Sequence, residues 1–322
     1  MKDIDKVLKV LKQGKHFLIA AHYNPDADAA ASSLAMALLL KGMGKAVTVV
    51  NEDDLPHWLN FLPDAKLFKK AAKTKPFQYD AAIVLDCGDK ERVGAVSQLL
   101  LPDKPQVNID HHVTNDRYGS VNLVIDTASS TCEILFDLIK ASKQKFNRAL
   151  SVLLYAGIMT DTGSFRYENT SAKTHAIISE LMAFGINAGE MYKRLYVGMP
   201  VKDMKLFTQV IHDAKLLHKG QVYCVLLPKK VNEGFSSSFD LKEKLFGFLR
   251  SVEGIKVVVI LTEIHPKETR VNLRSQGSFN AATLASQFNG GGHVKAAGAK
   301  IYDNLKAAEK QIVAAIIKRL KG

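Results

Sequence analysis

Short apolar runs, three of which stop at an acidic or imidazole side chain, constrain this chain most. Phe17–Ala21, Val47–Val50, Tyr79–Leu85 and Gln106–Ile109 read as buried strands, separated by stretches of helical period. Strands alternating with helices specify a parallel sheet covered on both faces. Such sheets bind ligands outside the carboxyl ends of their strands. His22–Asp28, Asp86 and Asp110-His111-His112 all fall there. Surface turns alone do not predict ligand-type side chains at three strand ends. The fold class expected is α/β, with a mainly parallel sheet in the N-terminal domain and a smaller α/β domain after it.

Helices are expected near residues 3–13, 29–41, 57–62, 130–142, 147–160, 171–184 and 188–196. The stretch 185–200 carries Gly, Asn and Pro and loses the sheet pattern, which marks a linker region. Beyond it, 202–217 reads as helix, Val222–Leu227 as strand, 241–249 as helix, and Val257–Leu261 and Arg270–Leu273 as strands. A helix at 281–288, a glycine-rich loop, a strand near 297–302 and a last helix at 305–320 complete it. Two domains suit a chain of 322 residues.

The net charge of +12 favours an anionic partner, although lysines spread over helices explain much of the excess. The three cysteines lie far apart and form no CxxC, which excludes a disulfide framework and a zinc ribbon and suits a reducing cytosol. The N-terminus has no signal-peptide core. The longest apolar run, Leu34–Leu40, falls far short of the roughly 20 residues that span a bilayer. A soluble, cytoplasmic protein with no membrane partner is expected.

His22, Asp26, Asp28, Asp86, His111 and Asp161 are six hard or borderline metal ligands. A bland reading is available for parts of the set: two surface histidines after a turn, and Asp28 capping a helix from Ala29. Capping explains one Asp and leaves the rest. Pro25 is expected to hold Asn24 extended. One carboxylate shared by two ions would turn six side chains into seven protein bonds. Carboxylate with imidazole suits manganese first, and less firmly magnesium or another divalent ion. Two ions about 3.5–4 Å apart are the usual equipment for phosphoester hydrolysis, in which an activated water attacks phosphorus in line.

The ordered segments His22-x-x-Pro25-Asp26-x-Asp28, Asp86, Asp110-His111-His112 and Asp161-Thr-Gly-x-Phe165 resemble the four motifs of the DHH phosphoesterase superfamily. Arg274-Ser275 and Gly290-Gly291-Gly292-His293, followed by Ala296-Ala-Gly298, resemble its associated substrate domain. The resemblance implies a catalytic metal-binding DHH domain at 1–185, a linker at 186–203 and a substrate-binding domain at 204–322, with the active-site cleft between the domains. It implies one metal ion on His22, Asp26 and Asp86 and a second on Asp28, Asp86, His111 and Asp161. It implies catalytic roles for His112, facing the phosphate, and Asp110, orienting the histidines. Arg274, Ser275, Gly291, Gly292 and His293 would hold substrate, as would Arg166, which a surface ion pair explains equally well. Size and domain pairing resemble the nanoRNase/pAp phosphatase branch. The substrates implied are very short oligonucleotides or phosphorylated nucleotides such as 3′-phosphoadenosine 5′-phosphate. Cyclic dinucleotides or linear pApA are the alternative, and a homodimer is left open.

Overall fold

The computed structural model describes residues 2–236 and 241–321. They form two compact units, Met1–Val197 and Gly198–Gly322.

The first unit opens with α1 (Lys2–Gln13), which buries Val7, Leu8 and Leu11 and turns Lys6, Lys9 and Lys12 outward. Strand β1 (His16–Ala21) follows, buried on both faces from Phe17 onward. Then come α2 (Ala27–Gly42), β2 (Ala46–Asn51), β3 (Phe68–Lys70), β4 (Ala81–Leu85), β5 (Gln106–Asp110) and β6 (Val121–Val124). Four helices close the unit: α3 (Thr131–Ser142), α4 (Arg148–Asp161), α5 (Ala172–Met182) and α6 (Ala188–Tyr196). The sheet order is β3-β2-β1-β4-β5-β6, parallel throughout. Adjacent β1, β4 and β5 are in register, with Ala21 opposite Leu85 and Leu85 opposite Ile109. The next residues, His22, Asp86 and Asp110, therefore emerge side by side at one edge. The mainly parallel α/β architecture expected for the N-terminal part is observed.

Helix α2 is apolar on every side and buried almost throughout, as expected of a central helix. It packs on α4, where Gly157 has no room for a Cβ: one there would strike Asp28 Oδ1 and Cys132 Sγ. Glycine lets the two helices approach at the level of the site.

The second unit comprises α7 (Val201–His212), β7 (Lys215–Leu217), β8 (Val222–Leu227), α8 (Lys229–Gly234), α9 (Leu241–Leu249), β9 (Val257–His265), β10 (Glu268–Ser275), α10 (Ala281–Ala285), β11 (Gly291–Gly292), β12 (Ala296–Ile301) and α11 (Leu305–Lys321). Its sheet runs β11-β12-β10-β9-β8-β7, antiparallel except for the β8–β9 pair.

Four local expectations are corrected. The helix read over 202–217 stops at His212; the chain turns into β7 and then reverses into β8 through left-handed His218, Lys219 and Gly220. The glycine-rich stretch is a strand, because Gly290 and Gly292 lie so close to β12 that a Cβ on either would meet its backbone. Asn24 is left-handed (φ 50°) instead of extended; asparagine tolerates that conformation, and its N–H donates to Asp53 Oδ2 at 2.7 Å. The cap of α2 is Asp26, which accepts from Ala29 N, while Asp28 sits in the first turn.

Candidate metal centre

Asp86 stands at the middle of the β1-β4-β5 edge. Its φ of 51° is left-handed, an unusual conformation for a residue with a Cβ and one that clusters at functional sites. From there its carboxylate reaches both neighbouring strand ends. Its Oδ2 lies 3.5 Å from His22 Nε2, and its Oδ1 lies 3.4 Å from His111 Nε2 and 3.8 Å from His112 Nδ1. Three sets in this unit have ligand atoms within 4.8 Å of one another: His22, Asp26 and Asp86; Asp28, Asp86 and His111; and Asp86, Asp110 and His112. Asp86 belongs to all three. Asp161, the last residue of α4, brings Oδ2 to 3.1 Å from His111 Nε2.

The imidazoles are oriented by main-chain carbonyls. His22 Nδ1 donates to Tyr23 O at 2.8 Å and His111 Nδ1 to Ala128 O at 3.3 Å. A carbonyl only accepts, so each Nδ1 carries a proton and each Nε2 is directed at the carboxylates. His112 is held the same way round, its Nδ1 2.7 Å from Asp110 Oδ1. Asp110 is fully buried, and its other oxygen accepts from Asn115 Nδ2 at 2.6 Å. Asn115 also donates to Asn108 Oδ1, and Asn108 Nδ2 contacts Tyr118 Oη and Cys87 O.

Asp28 is 0% exposed and accepts from the main-chain N–H groups of Thr131 (2.7 Å) and Cys132 (3.0 Å) at the start of α3. Even so, burial, joined by the charges of Asp161 and Asp86, holds its carboxyl well above the usual range. Burial also pushes Asp161 up to about 6, against the pull of His111. Asp86 goes the other way. Burial would raise it, but hydrogen bonds from His111 and His22 outweigh that and hold it well below the ordinary range. His22 is likewise lifted to about 10, its bonds to Asp26 and Asp86 overcoming burial. Two like charges 4 Å apart repel by about 4 kcal/mol near a protein surface. The carboxylates of Asp26, Asp28, Asp86, Asp110 and Asp161 outnumber the imidazoles set among them, and a hard divalent cation can take the place of the imidazole protons with the oxygen and imidazole donors such ions take. The residues fit the ion.

Arg166 is exposed. The chain leaves Asp161 through Gly163, Ser164 and Phe165, all left-handed (φ 55°, 59° and 65°), and Arg166 Nε returns to Gly163 O at 2.7 Å. In the second unit, Arg274 stacks over the Phe246 ring (4.7 Å to the centroid) and pairs with Glu243 at 2.6 Å. Ser275 is buried, its hydroxyl 2.8 Å from Phe279 O. Gly291 has open space where a Cβ would stand, whereas Gly292 has none. His293 follows β11, and its N–H donates to Ala296 O.

Sequence reasoning missed Asn108, Asn115, Tyr118 and Thr131. Asn115 and Tyr118 carry no pattern that separates them from turn residues, and Asn108 lies within a run already read as a strand. Thr131 follows Ser130, whose side chain caps α3 by accepting from Glu133 N; Ser-x-x-Glu signals that helix start but not its contact with the site.

Residues 16–158 match the DHH family, N-terminal domain, and residues 240–322 match the DHHA1 domain. Over 321 residues the chain is 30% identical to the bifunctional oligoribonuclease and PAP phosphatase NrnA of Thermus thermophilus, spanning 99% of this chain and 94% of that protein. The protein of the same name from Bacillus subtilis is 31% identical over 227 residues, 70% of this chain and 71% of its relative. An exopolyphosphatase-related protein from Bacteroides fragilis has the same fold, with a TM-score of 0.89 at 26% identity over 98% of this chain and 96% of that one.

Proposed function

The chain belongs to the DHH family, and from that premise we propose a metal-dependent phosphoesterase that hydrolyses very short oligonucleotides to mononucleotides and 3′-phosphoadenosine 5′-phosphate to AMP. Asp86 at the junction of the ligand sets carries this reading. His22, Asp26 and Asp86 would hold one ion, and Asp28, Asp86, His111 and Asp161 the other. Manganese is proposed first, with magnesium next. When bound, such ions supply positive charge that lowers the pKa of a water and neutralises a phosphate.

The protein's own groups do the rest. Asp110 accepts a hydrogen bond from His112 Nδ1–H, which fixes the ring so that Nε2 can meet the phosphate. Water adds to phosphorus as the ester P–O bond breaks; the leaving oxygen takes the Nε2 proton of His112, and the proton released by the attacking water restores it. General acid help of this kind contributes about 10²–10⁴-fold. In the second unit, Arg274, His293, Gly291 and Gly292 are proposed to bind the terminal nucleotide, with Ser275 bracing the strand end; in the first unit, Arg166 is proposed as a substrate-binding cation. Glu243 pairs with Arg274 Nη2 and would compete with an anionic ligand for it. The protein is proposed to work in the cytoplasm. Among the described residues no helix is long and apolar enough to cross a membrane.

The test is purified protein with manganese or magnesium and labelled dinucleotide, longer oligonucleotides, 3′-phosphoadenosine 5′-phosphate, cyclic di-AMP and linear pApA. Mononucleotide release that is fastest from the shortest chains is expected. Preference for the cyclic dinucleotide would replace the reading, and no turnover of any of them would end it.

A further inference from the structure

Thr131, the first residue of α3, touches two carboxylates of the centre at once. Its main-chain N–H donates to Asp28 Oδ2 at 2.7 Å, and its Oγ1 donates to Asp86 Oδ1 at 3.1 Å. The three residues are far apart in sequence, all buried, and Thr131 itself is 0% exposed. Helix α3 is fixed in turn: Ser130 caps it, and the buried Glu133 carboxylate ties it to Ser129 Oγ (2.6 Å) and Thr174 Oγ1 (2.9 Å).

The other neighbours of Asp86 are His22 and His111, at 3.5 and 3.4 Å. As metal ligands these imidazoles direct the Nε2 lone pair at an ion and no longer donate to Asp86. His112 Nδ1 spends its proton on Asp110. The hydroxyl of Thr131 competes for nothing in the centre. It is the donor that can stay on Asp86 Oδ1 whether or not an ion is present.

We propose that Thr131 is the positioning residue of this centre: its hydroxyl sets the angle of the Asp86 carboxylate so that one group can serve two ions. The inference rests on the metal reading above and adds a residue outside the ligand set. Partners that orient metal ligands typically change affinity by roughly 10–100-fold when removed.

Thr131→Val keeps the shape and removes the hydroxyl, and Thr131→Ser keeps the hydroxyl and removes the methyl. Manganese alone is titrated into the full chain by calorimetry, and the melting temperature is recorded in chelator. Roughly ten- to hundred-fold weaker binding is expected for Thr131→Val, with Thr131→Ser close to the parent; the metal-free melt of Thr131→Val stays cooperative but is lowered by the lost hydrogen bond, and that of Thr131→Ser is close to the parent's. Equal affinity of Thr131→Val and the parent would overturn the proposal. So would equal weakening by both variants, which would assign the effect to packing of the methyl. If Thr131→Val does not fold, Thr131→Ala against Thr131→Ser makes the same comparison. Nucleotide hydrolysis is scored separately: a parent that binds manganese but turns over no nucleotide refutes the proposed function and leaves this inference standing. A parent that binds no divalent ion refutes both.

Discussion

His22 shows how one side chain reports on the whole cluster. Burial alone would lower its basicity, yet Asp26 and Asp86 lift it from 6.5 to about 10, so near neutrality the metal-free ring carries a proton. His111 is lifted well above its ordinary value by Asp161 and Asp86 against the same burial. A base raised in the folded state stabilises it fully below its unfolded pKa, and that stability is lost as pH rises through the folded value. The metal-free protein should therefore melt at progressively lower temperature as pH rises from about 6.5 towards 10. An ion has to displace these protons, so manganese affinity should rise with pH across the accessible part of that window. Calorimetry in two buffers of different ionisation enthalpy at one pH should show proton release on binding. Identical apparent enthalpies in the two buffers would contradict it.

At the scale of elements, the close approach of α2 and α4 is as decisive as any ligand. Gly157→Ala places a methyl where Asp28 Oδ1 and Cys132 Sγ already stand. Overpacking of this kind costs about 1–3 kcal/mol. Because the displaced atom is a proposed ligand, manganese binding should weaken along with the melting temperature. Gly247→Ala in α9 is the matched control: nothing lies within 4 Å of its added methyl, so helix propensity alone should stabilise by up to about 1 kcal/mol. A Gly157→Ala protein that melts and binds like the parent would show that α4 can retreat from α2. The same contrast separates what pattern alone makes legible from what only folding creates. Strands β1, β4 and β5 were legible because central parallel strands are continuous apolar runs ending in polar residues. Strands β3, β6, β7 and β11 were not, being two to four residues long and held by neighbours instead of by pattern. The six ligand-type residues were visible as a set of chemical types; Thr131 and Asn115 were not, because their value lies in contacts made only after folding.

For the whole molecule, the division of labour can be tested by dividing the chain. All six proposed ligands, Asp110, His112 and Thr131 lie in Met1–Val197, which has a core of its own built from α1, α2, β1, β4, β5, α3 and α4. Arg274, Gly291, Gly292 and His293 lie in Gly198–Gly322, around a separate core. If the first unit holds the ions and the second the terminal nucleotide, residues 1–197 alone should fold cooperatively and bind manganese within a few-fold of the full chain. Their hydrolysis of dinucleotide should be nearly lost, since binding energy from parts of a substrate remote from the reacting bond is spent in reaching the transition state. In the full chain, Arg274→Ala should act in the same direction, raising KM for nucleotides while leaving manganese affinity untouched. Turnover by residues 1–197 at the full-chain rate would remove the second unit from catalysis. Loss of manganese binding by a folded residues 1–197 would instead make the ligand set dependent on Gly198–Gly322.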